Sequence, residues 1–335
     1  MSKRSKLDEA FQRHPRPQVP NLPSLPTKAA LARKPHNRAA LPIPAPPRPG
    51  PIRRLSFAPP GVGRGLIIRE GLPWQDNLYL GALVQRRSRL LIGVKKHSCA
   101  DFVMFKKVSR DSREAREKEC LAVFKHPHII QIIETFSHND FFFFGFQYAR
   151  HTLEELLHTH VRMDERHVQL VARSMYDAIR YLGLRDYIHG AVSVETIRIC
   201  RRSGELLLSN FDSVTRSVRH RDLPNTDLED LGIVLLRCME GRLPGDSLTV
   251  ANVRARRLEN KVFGLNEPGR WSGSKQLMDF LDDLFSAAKP AYVKLEKPHQ
   301  YVENEPSPNR VLAPLVELAT VECFALWQPA EAGES

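Results

Sequence analysis

The chain has 335 residues, 42% of them apolar, enough for one medium-large domain with a substantial core plus flexible ends. No apolar run approaches the roughly 20 residues that span a bilayer. The opening stretch MSKRSKLDEAFQRHP lacks an apolar h-region, so neither a membrane helix nor a secretory signal is expected. The net charge of +12 is uneven: residues 1–60 carry 12 Lys+Arg against 2 Asp+Glu, and the remainder 38 against 36. The basic character belongs to the tail, so the body gives no electrostatic reason to bind nucleic acid. The cysteines are five, widely spaced and without a CxxC pair, which argues against a disulfide framework or zinc site and for a reducing, intracellular compartment, cytoplasmic or nuclear.

Residues 1–60 hold 14 of the 25 prolines, which block helices and strand ladders, and few large apolar side chains. Residues 1–65 read as a disordered, basic, Pro-rich tail and linker. Pro20, Pro23 and Pro26 share the polyproline II spacing and Pro42–Pro51 is denser, a composition that docks in SH3 or WW grooves, although a merely solvated tail is the simpler reading. Arg53-Arg54-Leu55-Ser56 makes Ser56 a candidate phosphosite. The Lys3-Arg4-Ser5-Lys6 cluster is a weak nuclear or anionic-lipid signal.

From about Leu66 the pattern changes. Short apolar, β-branched runs predict strands at Leu78–Val84, Arg89–Val94, Asp101–Val108, Ile129–Phe136 and Phe141–Tyr148. Helical spacing predicts Arg113–Phe124 among them, then Leu153–His158, Glu165–Leu184, Leu228–Glu240 and Ser274–Ala288. Five strands with one helix followed by a helical bundle is an α+β, two-lobe arrangement.

Several stretches resemble the protein kinase family, in its order. KHPHIIQIIETF (125–136) is similar to the junction after helix C of kinases, and VMFK (103–106) to the VAIK strand whose lysine pairs with ATP phosphates. Glu117 stands for the helix-C glutamate. FQYARHTLEELL (146–157) resembles the hinge, YIHGAVSVETI (187–197) the catalytic loop, and LLLSNFD (206–212) the segment ending in DFG. DLEDLGIVLLRCMEGRLP (227–244), SKQLMDFLDDLF (274–285) and KPHQYV (297–302) resemble the later helices. The resemblance implies a bilobal protein-kinase-like fold over 66–302, with a five-stranded lobe with one helix at about 66–147 and a mainly helical lobe at about 148–302. Residues 303–335 form an extension, with 311–327 a candidate helix that packs on the domain or docks elsewhere.

Measured against that family, the chemistry is stripped. Phosphoryl transfer needs positioned phosphates, metal ions and a carboxylate that accepts the hydroxyl proton. The family's HRD aspartate is Ala191, its loop lysine Ser193, its metal-binding Asn Thr196, and the DFG aspartate Asn210, an uncharged amide that suits Mg²⁺ poorly. Asp212 is two residues away and reaches a metal only if the backbone shifts. The glycine-rich loop is reduced to Gly81-Ala82-Leu83-Val84-Gln85-Arg86, Met104 is a bulky adenine roof, and Arg198 a charged floor. Fourteen residues separate Asp212 from Asp227, with no APE anchor, and the late arginine that pairs with it corresponds to Lys289.

What the resemblance retains is scaffold. Leu121, Ile132, His189 and Phe211 fall on the family's hydrophobic spine and Asp227 on its anchor. Lys106 and Glu117 are vestigial cofactor-binding positions, read more simply as an ion pair closing the small lobe. The expectation is a pseudokinase acting as a binding, scaffold or regulatory module in signalling. Its partner is a protein, such as an active kinase or an SH3/WW domain, and it needs no cofactor. The alternatives are an active divergent serine/threonine kinase using ATP and Mg²⁺, and a tail-driven nucleic-acid or membrane-surface adaptor.

Overall fold

The structure, a computed structural model, describes residues 67–85, 88–98, 100–110, 121–201, 203–216, 226–241, 248–258, 262–303, 310–322 and 327–329. The tail with Ser56, Glu117 and most of the predicted helix Arg113–Phe124 lie outside them.

The small lobe is a sheet built from strands that follow the predicted runs closely. β1 is Ile68–Glu70, β2 Asn77–Gln85, β3 Ser88–Lys95, β4 Phe102–Ser109, β5 Ile132–His138 and β6 Phe141–Gln147. The order is β1-β5-β6-β4-β3-β2, and a last strand from the chain's other end, Trp327–Pro329, joins the β2 edge. The sheet therefore has seven strands where sequence predicts five. The two additions are three-residue edge strands, placed by long-range pairing: Ile68 runs parallel beside Thr135, and Trp327 antiparallel beside Leu83.

Alternation along β4 divides the lobe. Val103 and Phe105 join Phe136 and Phe143 in a small outer cluster, over which the turn Pro73–Gln75 lays Trp74 edge-on to Phe105 at 5.4 Å. Met104 joins the main core from the opposite face, with Lys106 two residues on beside the cleft. Gly145 in β6 is required by close approach: a Cβ there would lie 2.7 Å from Glu134 Cγ and 2.9 Å from Phe105 Cε1. Beside it, Lys95 and Glu134 form an ion pair at 2.5 Å.

After β7 (His151–Thr152) come α1 (Leu153–Leu157) and α2 (Glu165–Gly183), both opened by capping boxes, from Thr152 with Glu155 and from Asp164 with His167. Three short strand segments follow: β8 (Tyr187–Ile188), β9 (Ile197–Ile199) and β10 (Leu206–Leu208). β11 (Thr215–Arg216) then pairs with β8. The remaining helices are α3 (Thr226–Glu240), α4 (Val250–Leu258), α5 (Lys275–Phe285), α6 (Ala291–Glu296), α7 (Gln300–Glu303) and α8 (Ala313–Glu322). The last strand, Trp327–Pro329, is β12. Leu312, Leu315, Val316 and Ala319 are buried in the main core, so the carboxy-terminal helix packs on the domain. It is shorter than the candidate span 311–327: Pro314, tolerated only in a first turn, fixes its start, and Trp327 belongs to a strand. Among the described residues no helix is long and apolar enough to cross a membrane.

Candidate functional site: the cleft between sheet and helices

The cleft is lined by Leu90, Met104, Ile130 and Phe146, with Lys106, Glu195, Thr196, Arg198, Ser209 and Asn210 supplying its polar wall. Lys106 comes from β4. Its Nζ lies 3.4 Å from Asn210 Oδ1, the residue that follows Ser209 beyond β10. Asn210 holds this position with φ 69°, in the left-handed region that asparagine tolerates better than most residues.

The loop between β8 and β9 is knotted onto itself. The Thr196 hydroxyl accepts from Ser193 N–H (2.9 Å) and faces the Ala191 carbonyl at the same distance. Ser209 donates its hydroxyl to the Thr196 carbonyl (2.8 Å). The loop thus presents a methyl at Ala191, a Thr196 hydroxyl engaged with the loop's own backbone, and a Ser193 hydroxyl 3.4 Å from that of Thr196. Below the loop, Asp227 accepts N–H bonds from His189 and Gly190. Burial pushes the His189 pKa below the ordinary imidazole value. The neutral ring donates from Nε2 to the Ser209 carbonyl at 3.1 Å and packs edge-on to Phe211 with centroids 4.7 Å apart. Leu121, Ile132 and Phe211 are all buried in the same core. Asp212 does not line the cleft, and its Oδ1 is buried without a hydrogen-bond partner.

The other end of the cleft is closed by Arg198. It is 5% exposed, on β9, and its guanidinium crosses to the chain segment that joins the two lobes. Nη1 donates to the Ala149 carbonyl (3.2 Å) and reaches the Arg150 carbonyl (3.4 Å), and Nη2 donates to Gln85 Oε1 (2.8 Å). Gln85 Nε2 in turn donates to the Arg150 carbonyl (3.0 Å) and to Glu155 Oε1 (2.6 Å). The free volume left in the cleft is about 40 Å³. A cavity of about 150 Å³ is what admits benzene, so the space beside this arginine is narrow.

Sequence reasoning names Arg198 and Met104 as obstacles, and both line the cleft. It misses Glu195, which brings a carboxylate to the lining and is ion-paired with Arg237 at 3.4 Å. It also misses Glu155, although the Thr152-x-x-Glu155 capping box was readable. Lys289 is an exposed partner of Asp283 (2.8 Å), and Lys294 is buried, its Nζ donating to the carbonyls of Asp283, Leu284 and Ser286 at the end of α5. Burial lowers the Lys294 pKa, and the charge is tolerated because those three acceptors meet it.

Residues 92–228 match the protein kinase domain family. The chain thus carries a protein-kinase-like domain. The kinase-like domain is 26% identical, over 175 residues, to a probable serine/threonine-protein kinase KIN1 homolog of Enterocytozoon bieneusi (strain H348). That match covers 45% of this chain and 28% of the relative. The matched stretch runs from β3 through the loop of Ala191 and Asn210 to the start of α3, so it holds most of the site, Leu90 and Gln85 lying just before it.

Proposed function

We propose that this is a catalytically silent kinase-like domain, a pseudokinase that works by binding a protein partner inside the cell and needs neither ATP nor Mg²⁺. The observation that carries this reading is Arg198, a buried guanidinium bonded to the Ala149 carbonyl of the segment joining the lobes and to Gln85, in a narrow cleft. Three chemical absences support it. Ala191 cannot accept a proton, Asn210 cannot supply charge to a metal, and Ser193 and Thr196 are occupied with their own loop. The Pro-rich tail is a suitable handle for an SH3 or WW partner.

A second reading is favoured by Glu195, a carboxylate in the cleft lining, which could serve an active, divergent kinase as base or metal ligand. Its ion pair with Arg237 opposes that use. One experiment separates the two. The purified protein is heated with and without Mg²⁺-ATP, and transfer of labelled phosphate is assayed for the wild type, Lys106→Ala and Glu195→Gln. No thermal shift and no transfer are expected. Stabilisation by Mg²⁺-ATP with transfer lost in both variants would establish the enzyme instead.

A further inference from the structure

We propose that the carboxy-terminal helix α8 holds the cleft shut through a continuous chain of buried and half-buried polar side chains, so that the extension of the domain regulates its opening. The inference rests on the closed cleft of the preceding reading, and not on catalytic silence.

The chain begins at Thr320 on α8, whose hydroxyl lies 3.0 Å from His151 Nε2. His151 is 1% exposed, and its Nδ1 lies 3.2 Å from Glu155 Oε2. A carboxylate can only accept, so Nδ1 donates and Nε2 is the atom presented to Thr320. Glu155 Oε1 accepts from Gln85 Nε2 at 2.6 Å, and Gln85 Oε1 accepts from Arg198 Nη2 at 2.8 Å. Arg198 ends on the Ala149 carbonyl. Five side chains from α8, β7, α1, β2 and β9 thus join the end of the protein to the base end of the cleft.

The same terminal segment grips β2 a second time. β12 pairs with it at Gly81–Leu83, ending two residues before Gln85. Thr320 binds the chain of side chains and β12 the strand that carries its middle member, so the extension spans both lobes. α8 is itself fixed by its buried apolar side chains and, at the surface, by the two-pronged Arg201–Glu317 pair (3.1 and 3.3 Å). Each inner member is buried or half-buried, where an unpaired polar group costs most, so breaking one link favours release of the next.

Binding free energies couple reciprocally, and so do the openings of two ends of one chain. Hydrogen exchange of the full-length protein is measured by residue-resolved mass spectrometry or NMR. In Thr320→Val, which keeps the shape and removes the hydroxyl, exchange at 81–85 and 148–155 is expected to rise about tenfold, the worth of one buried hydrogen bond, with α2 unchanged. In Arg198→Ala, exchange should rise in Ala313–Glu322 at the opposite end. Glu317→Gln, which weakens the docking of α8 only at the surface, should leave 81–85 and 148–155 unchanged. Gln85→Leu cuts the chain at its middle and should loosen both ends. Unchanged exchange at 81–85 and 148–155 in both Thr320→Val and Gln85→Leu overturns the proposal, and so does an equal effect of Glu317→Gln, which would reduce α8 to packing. Phosphate transfer by the wild type would sink catalytic silence and leave the exchange result standing; unchanged exchange sinks the chain and leaves silence standing.

Discussion

Asp227 and His189, 38 positions apart, are joined by a 2.7 Å bond from the His189 backbone N–H to one carboxylate oxygen, while the other oxygen takes the Gly190 N–H at 2.8 Å. The carboxylate therefore holds both residues of the turn that leads into Ala191. Gly190 turns there with φ 72°, and a Cβ on it would lie 3.1 Å from the Ser213 carbonyl oxygen. Asp227 orders the backbone of this turn through these two bonds. Asp227→Asn leaves one acceptor and turns an N–H donor toward the other backbone donor. It is expected to lose about 3 kcal/mol, the scale of a buried bond to a charged group. Chemical denaturation would register this as a lower midpoint with an unchanged slope.

Asp230, one helical turn beyond Asp227, should make stability fall with rising pH. Burial, and next the charges of Asp227 and Glu229, push its pKa up to about 7. The unfolded chain titrates near 4, so between roughly pH 4 and 7 the folded state binds more protons. Stability from this group is therefore full at the acid end of that window and lost as pH rises through it. Asp230→Asn removes the slope and is expected to melt higher than the wild type at pH 8, with little difference at pH 4. A pH series of melting curves on both proteins checks it.

Gly232 is the contact by which α3 meets α5. A Cβ added there would lie 2.5 Å from Phe285 Cζ and 2.7 Å from its Cε2. Alanine gains about 1 kcal/mol of helix propensity over glycine, but overpacking a core costs about 1–3 kcal/mol. Gly232→Ala is expected to be net destabilising, and Phe285→Leu to relieve it. The two changes together should then cost less than the sum of each alone, which a double-mutant cycle measures.

Much of this arrangement is legible in the sequence, and the rest is hidden for a physical reason. Val103-Met104-Phe105-Lys106 alternates between the outer cluster and the core and cleft, so a period of two places Lys106 correctly. The 3.6 period finds α2, α3 and α5 to within a few residues. β1 and β12 escape because three residues carry no period and their pairing is decided by distant partners. The short helix α6 escapes likewise, and with it the role of Lys294. Arg198 is visible as a charged floor, but a pattern gives a position and not a rotamer. Its reach to Ala149 and Gln85 depends on residues 49 and 113 positions away.

Arg198→Ala tests what that reach does to the cleft. Removing the guanidinium leaves the Ala149 carbonyl and Gln85 Oε1 short of a donor, at about 1–3 kcal/mol for each group that water does not reach. The variant should therefore be less stable than the wild type. The vacated space is lined above by Met104 and beside it by Leu90 and Phe146, and carbonyls now face it, which suits a flat heterocycle bearing an amino group. Adenosine is expected to raise the melting temperature of Arg198→Ala and leave the wild type unmoved. Because Asn210 brings no charge to a metal, Mg²⁺-ATP should stabilise the variant no better than adenosine does. A shift that needs Mg²⁺ would instead show that a carboxylate, Glu195 first among the lining residues, holds the ion. Melting the variant with adenosine, ATP and Mg²⁺-ATP in parallel, and repeating the series in Arg198→Ala/Glu195→Gln, separates these outcomes.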